Sequence, residues 1–277
     1  MRSSIDATAR VAPGACLGSR VEIGPFCVVG ADAVIGDDCR LLASVHVAGH
    51  TRIGPRTVVH PCAVLGGPPQ SVSYRGEPTS LVIGADCTIR ESVTMHVGTT
   101  QGGGVTTVGD RGYFMVGSHV AHDCRVGDNV QFANGATLGG HCEVGDNVFL
   151  SGYVAVHQFV RIGIGAMVSG GTMISSDVVP FAMVAGSPAR VIGINSVGMR
   201  RRAYAKVSIL AVRTAFRELF SGSGPFEQRI EEVAARLGGE PAVGHIVAFL
   251  RARGRRSVYH TGRKRAEQVT DPDDVDA

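Results

Sequence analysis

Ile5-Asp6-Ala7-Thr8-Ala9-Arg10-Val11-Ala12-Pro13-Gly14-Ala15-Cys16-Leu17-Gly18-Ser19-Arg20-Val21-Glu22-Ile23-Gly24 places an aliphatic residue at every sixth position, and that interval decides the fold. The beat runs on through Val29, Ile35, Leu41, Val47, Ile53, Val59 and Leu65, then resumes in phase at Ile83, Ile89 and Met95. After one shift it continues from Val108 through Phe114, Val120, Val126, Phe132, Leu138, Val144, Leu150, Val156, Ile162 and Val168 to Ile174. A period of six suits neither an amphipathic helix nor an alternating strand. It marks a hexapeptide-repeat parallel β-helix, in which each hexad gives one short strand and one corner and three hexads close a coil. With the aliphatic as position one, burial there contributes about 1.5–3 kcal/mol per side chain, and coils stack about 4.8 Å apart. The expectation is that position one alone points fully inward, and that the glycines at position two serve the corner by lacking a Cβ or by taking positive φ. A solenoid of this kind has no deep pocket of its own. Its chemistry must lie on faces, on loops that leave the ladder, or between subunits.

Two insertions interrupt the ladder. Gly66 to Pro78 keeps the phase and reads as one coil opened into a loop; Gly98 to Thr107, with Gln101-Gly102-Gly103-Gly104, shifts it by one. The glycine run is no P-loop, because no Gly-Lys-Ser/Thr follows. Interruptions of a strict repeat are often functional. The repeat ends near Pro180, and from Ser196 the pattern turns helical. Tyr204, Val207, Leu210, Ala211 and Thr214 trace one face of a first helix, with further helices over about 226–237 and 241–252. The organisation expected is a β-helix over 1–190, a small α-helical domain over 191–256 and a disordered tail over 257–277.

Composition narrows the function classes. The 277 residues contain no Trp, 38 Gly and 7 Cys, with a net charge of +3. Cys27, Cys39, Cys87, Cys124 and Cys142 all stand at position five, so they read as small packing residues rather than metal ligands or disulfides. No run of eighteen apolar residues exists, which argues against membrane insertion. The amino terminus enters the first hexad directly and leaves no room for a signal peptide, so a cytoplasmic location is expected. Residues 196–256 carry 12 basic against 5 acidic residues, a face suited to an acidic partner. Nucleic acid is disfavoured, since basic and aromatic residues do not interleave.

Stacking hexads eighteen apart sets Val120-Ala121-His122-Asp123 under Leu138-Gly139-Gly140-His141 and that under Val156-His157-Gln158-Phe159. His122, Gly140 and Gln158 share position three, while His141 and His157 flank the column and His119 ends the preceding hexad. Asn134 is expected nearby. Three chemistries suit such a ridge: an interface lining, a zinc site of the β-helical carbonic anhydrase kind, or a general base. The last is favoured because a glycine above His122 lets a backbone N–H approach an oxyanion.

Val120-Ala121-His122-Asp123-Cys124, Ala155-Val156-His157-Gln158-Phe159, Gly76-Glu77-Pro78-Thr79, Arg90-Glu91-Ser92-Val93-Thr94 with His96, and Gln101-Gly102-Gly103-Gly104 together resemble the acyl-ACP:UDP-N-acetylglucosamine O-acyltransferases, which open lipid A biosynthesis. The resemblance implies a left-handed coil, an exception to the right-handed crossover rule, and a homotrimer with sites between subunits. It implies that His122 is the general base, Asp123 its orienting partner and Gly140 the oxyanion donor. Gln70, His119, His141, His157 and Gln158 would contact substrate, Asn195, Arg201 and Arg202 would hold the nucleotide, and Gly170 would set acyl length. Acyl carrier protein would deliver the acyl chain on phosphopantetheine to a UDP-amino sugar, with no metal or redox cofactor. The chain departs from the family at Ser71, Ser73 and Val197, which replace usually charged residues. A related acyltransferase acting on another UDP-amino sugar is the alternative, followed by a zinc-dependent hydratase.

Overall fold

The computed structural model describes residues 3–259. It is a left-handed parallel β-helix with three faces. The first face has eleven strands, beginning at Ser4–Ile5, the second nine, beginning at Arg10–Val11, and the third eight, beginning at Cys16–Leu17. Most strands are two residues long, so each hexad contributes one rung and one corner. The parallel register is eighteen residues, as in Ile5↔Ile23 and Phe114↔Phe132.

Two positions per hexad point inward, not one. The fifth positions Val21, Cys27, Ala33, Cys39 and Val45 are as buried as the position-one aliphatics. They are small because the prism tapers toward its corners, and a bulky chain fits only on the rung. Packing, not redox or metal chemistry, places Cys27, Cys39, Cys87, Cys124 and Cys142 there, all as buried free thiols. Burial pushes the Cys87 thiol up to about 11, which leaves it protonated and inert.

The corner glycines are also differently employed. Positive φ falls on position four, at residues such as Asp38, Asp123, Asn129 and His141, all with φ near 60°. Position two takes glycine because coils meet there: a Cβ on Gly24 would overlap the Leu42 carbonyl.

The first insertion spans less than a coil. Leu65 pairs with Met95, thirty residues on instead of eighteen, so it adds twelve residues, two hexads, between a second-face and a third-face strand. Met95 pairs with Val120, twenty-five on, so the second insertion adds seven. Both leave the corner between the second and third faces, one coil apart.

Four helices follow: α1 (Ser196–Arg201), α2 (Lys206–Ser221), α3 (Phe226–Leu237) and α4 (Pro241–Arg251). The buried face of α2 is Ile209, Val212, Ala215, Phe216, Leu219 and Phe220, whereas Val207 and Leu210 are exposed. The face traced through Val207 and Leu210 is thus the outer one, because α3 and α4 pack on the opposite side. Beyond α4 the chain returns to the β-helix. The Asp177 N–H donates to the Ser257 carbonyl (2.7 Å), and the Tyr259 N–H donates to the Asp177 carbonyl (3.0 Å). Residues 257–259 are therefore part of the fold, and the rest of the expected tail, 260–277, lies outside the described residues.

Phe114 and Phe132 fill the prism edge-to-face, with ring centroids 5.1 Å apart and no exposure. Phe132→Ala should cost about 3–5 kcal/mol, read as a lower midpoint in denaturant unfolding.

Candidate active site

The corner between the second and third faces collects the polar chemistry. It carries, coil by coil, the two insertions, His122–Asp123, Gly140–His141 and Gln158–Phe159. The corner follows from sequence: Val120, Leu138 and Val156 are rung partners on the second face, so the residues after them superpose.

The Asp123 side chain is fully buried, and its charge is satisfied from three directions. The Thr99 N–H donates to Oδ1 (2.8 Å), and the Thr99 hydroxyl donates to Oδ2 (2.7 Å). His122 Nδ1 lies 2.7 Å from the same Oδ2. Burial works against the Asp123 charge, but the bonds from His122 and Thr99 together outweigh it and hold the carboxyl below its usual range. An ionised carboxylate only accepts, so His122 Nδ1 carries the proton and Nε2 presents a lone pair outward.

Gly140 stands over that imidazole. A Cβ there would lie 2.5 Å from His122 Cε1, so the ring fits only beneath a glycine. The Gly139 N–H donates to Val156 O (2.8 Å) and the His141 N–H to His122 O (3.0 Å). The Gly140 N–H makes no hydrogen bond among the described residues. The same freedom at position three admits Pro13, Pro25, Pro55 and Pro61 elsewhere in the ladder.

His141 packs edge-on to His122, with ring centroids 5.1 Å apart, and stacks on Phe159 at 4.5 Å. Burial pushes its imidazole below the ordinary value, partly offset by the Asp123 charge. His119 projects from a second-face strand, its Nδ1 2.7 Å from the Thr94 hydroxyl, and burial lowers it too. His157 is exposed, and Arg256 donates to its Nδ1 at 2.8 Å. Gln158 is half-buried, and its carbonyl accepts from Arg256 Nε (3.2 Å). A cavity of about 580 Å³ opens beside Asp123 and His141, walled by Arg125, Phe159 and Arg253–Arg255.

Of the other sequence candidates, Gln70 shares this corner and the rest lie apart from the ridge. Gln70 is exposed on the first insertion. Gly170 stands above Gly152 and Asn134 at the corner between the first and second faces, so Asn134 is not on the His ridge. Asn195, Arg201 and Arg202 line a separate cavity of about 780 Å³ against the first face, with Gln131, Phe149 and Met167. Asn195 also caps α1: its Oδ1 accepts from the Gly198 N–H (2.9 Å), and its Nδ2 donates to Gly165 O (2.9 Å). Arg202 donates to Asn147 O (3.1 Å), while Arg201 is exposed.

Four residues to which the sequence reading assigned no role belong to the ridge. His96 is buried beside His119, ring centroids 4.8 Å apart, and burial lowers it to about 4. Besides its place in the family motif, a titratable side chain at position two, where small residues are usual, was its signal. Thr94 holds His119, Thr99 holds the carboxylate, and the Thr106 hydroxyl accepts from the Asp123 N–H (2.8 Å).

The chain is similar to known proteins over nearly its whole length. Residues 32–67 match the family model of bacterial transferase hexapeptide (six repeats), and 177–259 match that of domain 2 of UDP N-acetylglucosamine O-acyltransferase. An acyl-[acyl-carrier-protein]–UDP-N-acetylglucosamine O-acyltransferase of Azorhizobium caulinodans is 53% identical, covering 94% of this chain and 96% of its own. One of Bartonella henselae is 41% identical over 98% and 99%. The crystal structure of a UDP-N-acetylglucosamine acyltransferase from Bacteroides fragilis superposes with a TM-score of 0.89 at 33% identity, covering 92% of this chain and all of that one.

Gly140→Ala tests the contact that defines the ridge. The added methyl should displace the His122 ring and lower turnover at least about 10²-fold, the scale of a misplaced reacting group. Circular dichroism should be unchanged, because Gly140 faces outward.

Proposed function

The chain belongs to the UDP-N-acetylglucosamine O-acyltransferase family, and on that premise we propose that it moves a 3-hydroxyacyl chain from acyl carrier protein to the 3-hydroxyl of UDP-N-acetylglucosamine, the first step of lipid A biosynthesis. The observation that carries this reading is the His122–Asp123 pair beneath Gly140, a base held in one tautomer under an unengaged backbone donor.

The chemistry follows from those positions. His122 Nε2 takes the proton of the sugar hydroxyl as its oxygen attacks the thioester carbonyl carbon. The carbonyl oxygen becomes an oxyanion and accepts the Gly140 N–H. The C–S bond then breaks, and the phosphopantetheine sulfur takes the proton back from the His122 imidazolium. Asp123 stays ionised throughout and stabilises that imidazolium, the usual part of the third member of such a relay. His119, His141, His157, Gln158 and Gln70 bind substrate around it. The cycle balances protons and electrons without a metal or redox cofactor. Ligand atoms of His122, Asp123 and His141 do lie within 4.8 Å of one another. Both Asp123 oxygens already accept hydrogen bonds, however, and a zinc ion would have to displace them.

The working unit is a homotrimer. Asn195, Arg201 and Arg202 face one side of the prism and the His ridge another, so a site that uses both takes them from two chains. Gly170 would reach the acyl chain in the same way. A three-sided prism closes naturally around a three-fold axis. No described helix is long and apolar enough to cross a membrane, and a cytoplasmic enzyme with free thiols fits the seven unpaired cysteines. A second acceptor sugar remains the alternative reading. It rests on Ser71 and Ser73, whose hydroxyls hydrogen-bond each other at 2.9 Å where charges are usual.

His122→Ala should lower kcat by about 10²–10⁴-fold, the share of a positioned proton transfer, with little change in folding. In the parent protein activity should fall in acid as the hydrogen-bonded His122–Asp123 pair takes up a proton, and the variant should lose that acid limb. A folded variant with near-normal kcat would remove the mechanism.

Acyl carrier proteins are acidic, and the outer face of α2 presents Lys206, Arg213 and Arg217 around exposed Val207 and Leu210. KM for acyl carrier protein should therefore rise with ionic strength, since exposed attraction is screened within about 8–10 Å. Arg213→Glu with Arg217→Glu should raise it several-fold at low salt while leaving kcat in place. Indifference of KM to both would mean that this face is only solvated.

A further inference from the structure

The second insertion does not merely pass the catalytic corner; it grips Asp123 from both ends. At its start Thr99 gives the carboxylate two of its three hydrogen bonds, one from the main chain and one from the hydroxyl. At its end the Thr106 hydroxyl accepts from the Asp123 N–H. Between them, a short 3₁₀ turn over Thr100–Gly102 is closed by Thr99 itself, which accepts from the Gly102 N–H at 3.2 Å. Gly102 has no side chain for a reason outside its own conformation: a Cβ there would overlap the Asp123 carboxylate. Gly98 is similarly confined, with a Cβ placed 2.9 Å from Asp123 Oδ1. Thr99 and Asp123 are both buried.

We propose that Thr99 is a positioning residue of the transfer reaction: its hydroxyl fixes Asp123 Oδ2, which in turn fixes the His122 ring and its tautomer. This rests on His122 acting as the base. Oδ2 has two partners, the Thr99 hydroxyl and His122 Nδ1, each at 2.7 Å. With the hydroxyl gone, the carboxylate keeps the Thr99 N–H on Oδ1 but can rotate about that bond, and the imidazole rotates with it. The loss also removes a contribution that favours the charged carboxylate. Asp123 then binds a proton more readily, and the acid limb of the rate profile moves to higher pH. A role confined to folding would move thermal stability and leave that limb in place.

The test compares Thr99→Val, Thr99→Ser and Gly102→Ala with the parent protein and His122→Ala, using acyl carrier protein charged with a 3-hydroxyacyl chain and UDP-N-acetylglucosamine. Kinetics are read against pH, and the His122 tautomer by ¹⁵N NMR of labelled imidazole. Thr99→Val should lower kcat by about tenfold or more, the scale of a hydrogen bond to a charged group. KM should stay near that of the parent, the acid limb should shift upward in pH, and the Nδ1-protonated signal should weaken. Thr99→Ser should restore all three. Gly102→Ala should lower kcat in a folded protein. The proposal is overturned if Thr99→Val keeps the parent kcat, acid limb and tautomer while His122→Ala is inactive. It is equally overturned if the Val and Ser variants lose activity alike with no change in pH profile. A folded, active His122→Ala would instead overturn the catalytic reading itself, so the two failures are distinct.

Discussion

Away from the two insertions, a residue in this fold lies beneath the residue eighteen positions later. Each rung is hydrogen-bonded on both sides to its neighbours, as Leu138 is to Val120 below and Val156 above. One large and one small inward side chain per hexad set the cross-section, so every coil has the same perimeter. Close packing penalises a change of even one methylene in such a column. The consequence for function is geometric. A base, a backbone donor and a substrate-binding amide need only recur at position three of consecutive coils to meet on one ridge. His122, Gly140 and Gln158 do so without any concave pocket being folded around them.

The corner backbone shows how position three can hold an open donor. The ladder uses the N–H groups of positions two, four and six, and leaves position three outside. Between the third and first faces, that spare donor is taken by an aspartate of the next coil: Asp110 N–H donates to Asp128 Oδ1 (2.9 Å), and Asp128 N–H donates to Asp146 Oδ1 (2.8 Å). At Pro13, Pro25, Pro55 and Pro61 the donor does not exist. At Gly140 it exists and is unclaimed among the described residues. An oxyanion site here requires no strained loop; it requires only that the next coil withhold an aspartate.

The hexad period and the stacking of the His column were legible in the sequence because both are arithmetic on a fixed repeat. What arithmetic missed is instructive. The fifth position reads as packing but not as fully inward, because it mixes Cys, Ala and Val with Thr, including Thr57, whose hydroxyl finds a carbonyl at Gly84 (3.2 Å). The outer face of α2 was mistaken for the inner one because three short helices packing on each other choose their faces jointly, and periodicity alone gives no origin. Thr99 and Thr106 were invisible for a different reason. They reach Asp123 through seven residues that break the register, so no count of eighteen connects them.

The electrostatics of the ridge explain why so many imidazoles surround a single carboxylate. Transfer of the sugar proton places one positive charge on His122. A protonated neighbour 5 Å away would oppose it, by about 3 kcal/mol at an effective dielectric near 20. Burial lowers His96, His119 and His141 alike, with like-charge repulsion from His122 adding to the same effect. They therefore stay uncharged near neutral pH and offer hydrogen bonds without repulsion. Asp123, ionised and fully buried, is left as the one nearby countercharge, and its Thr99 bonds keep it from competing for the proton. The cluster thus supplies polar contacts to a sugar nucleotide while reserving a single positive charge for the residue that moves the proton.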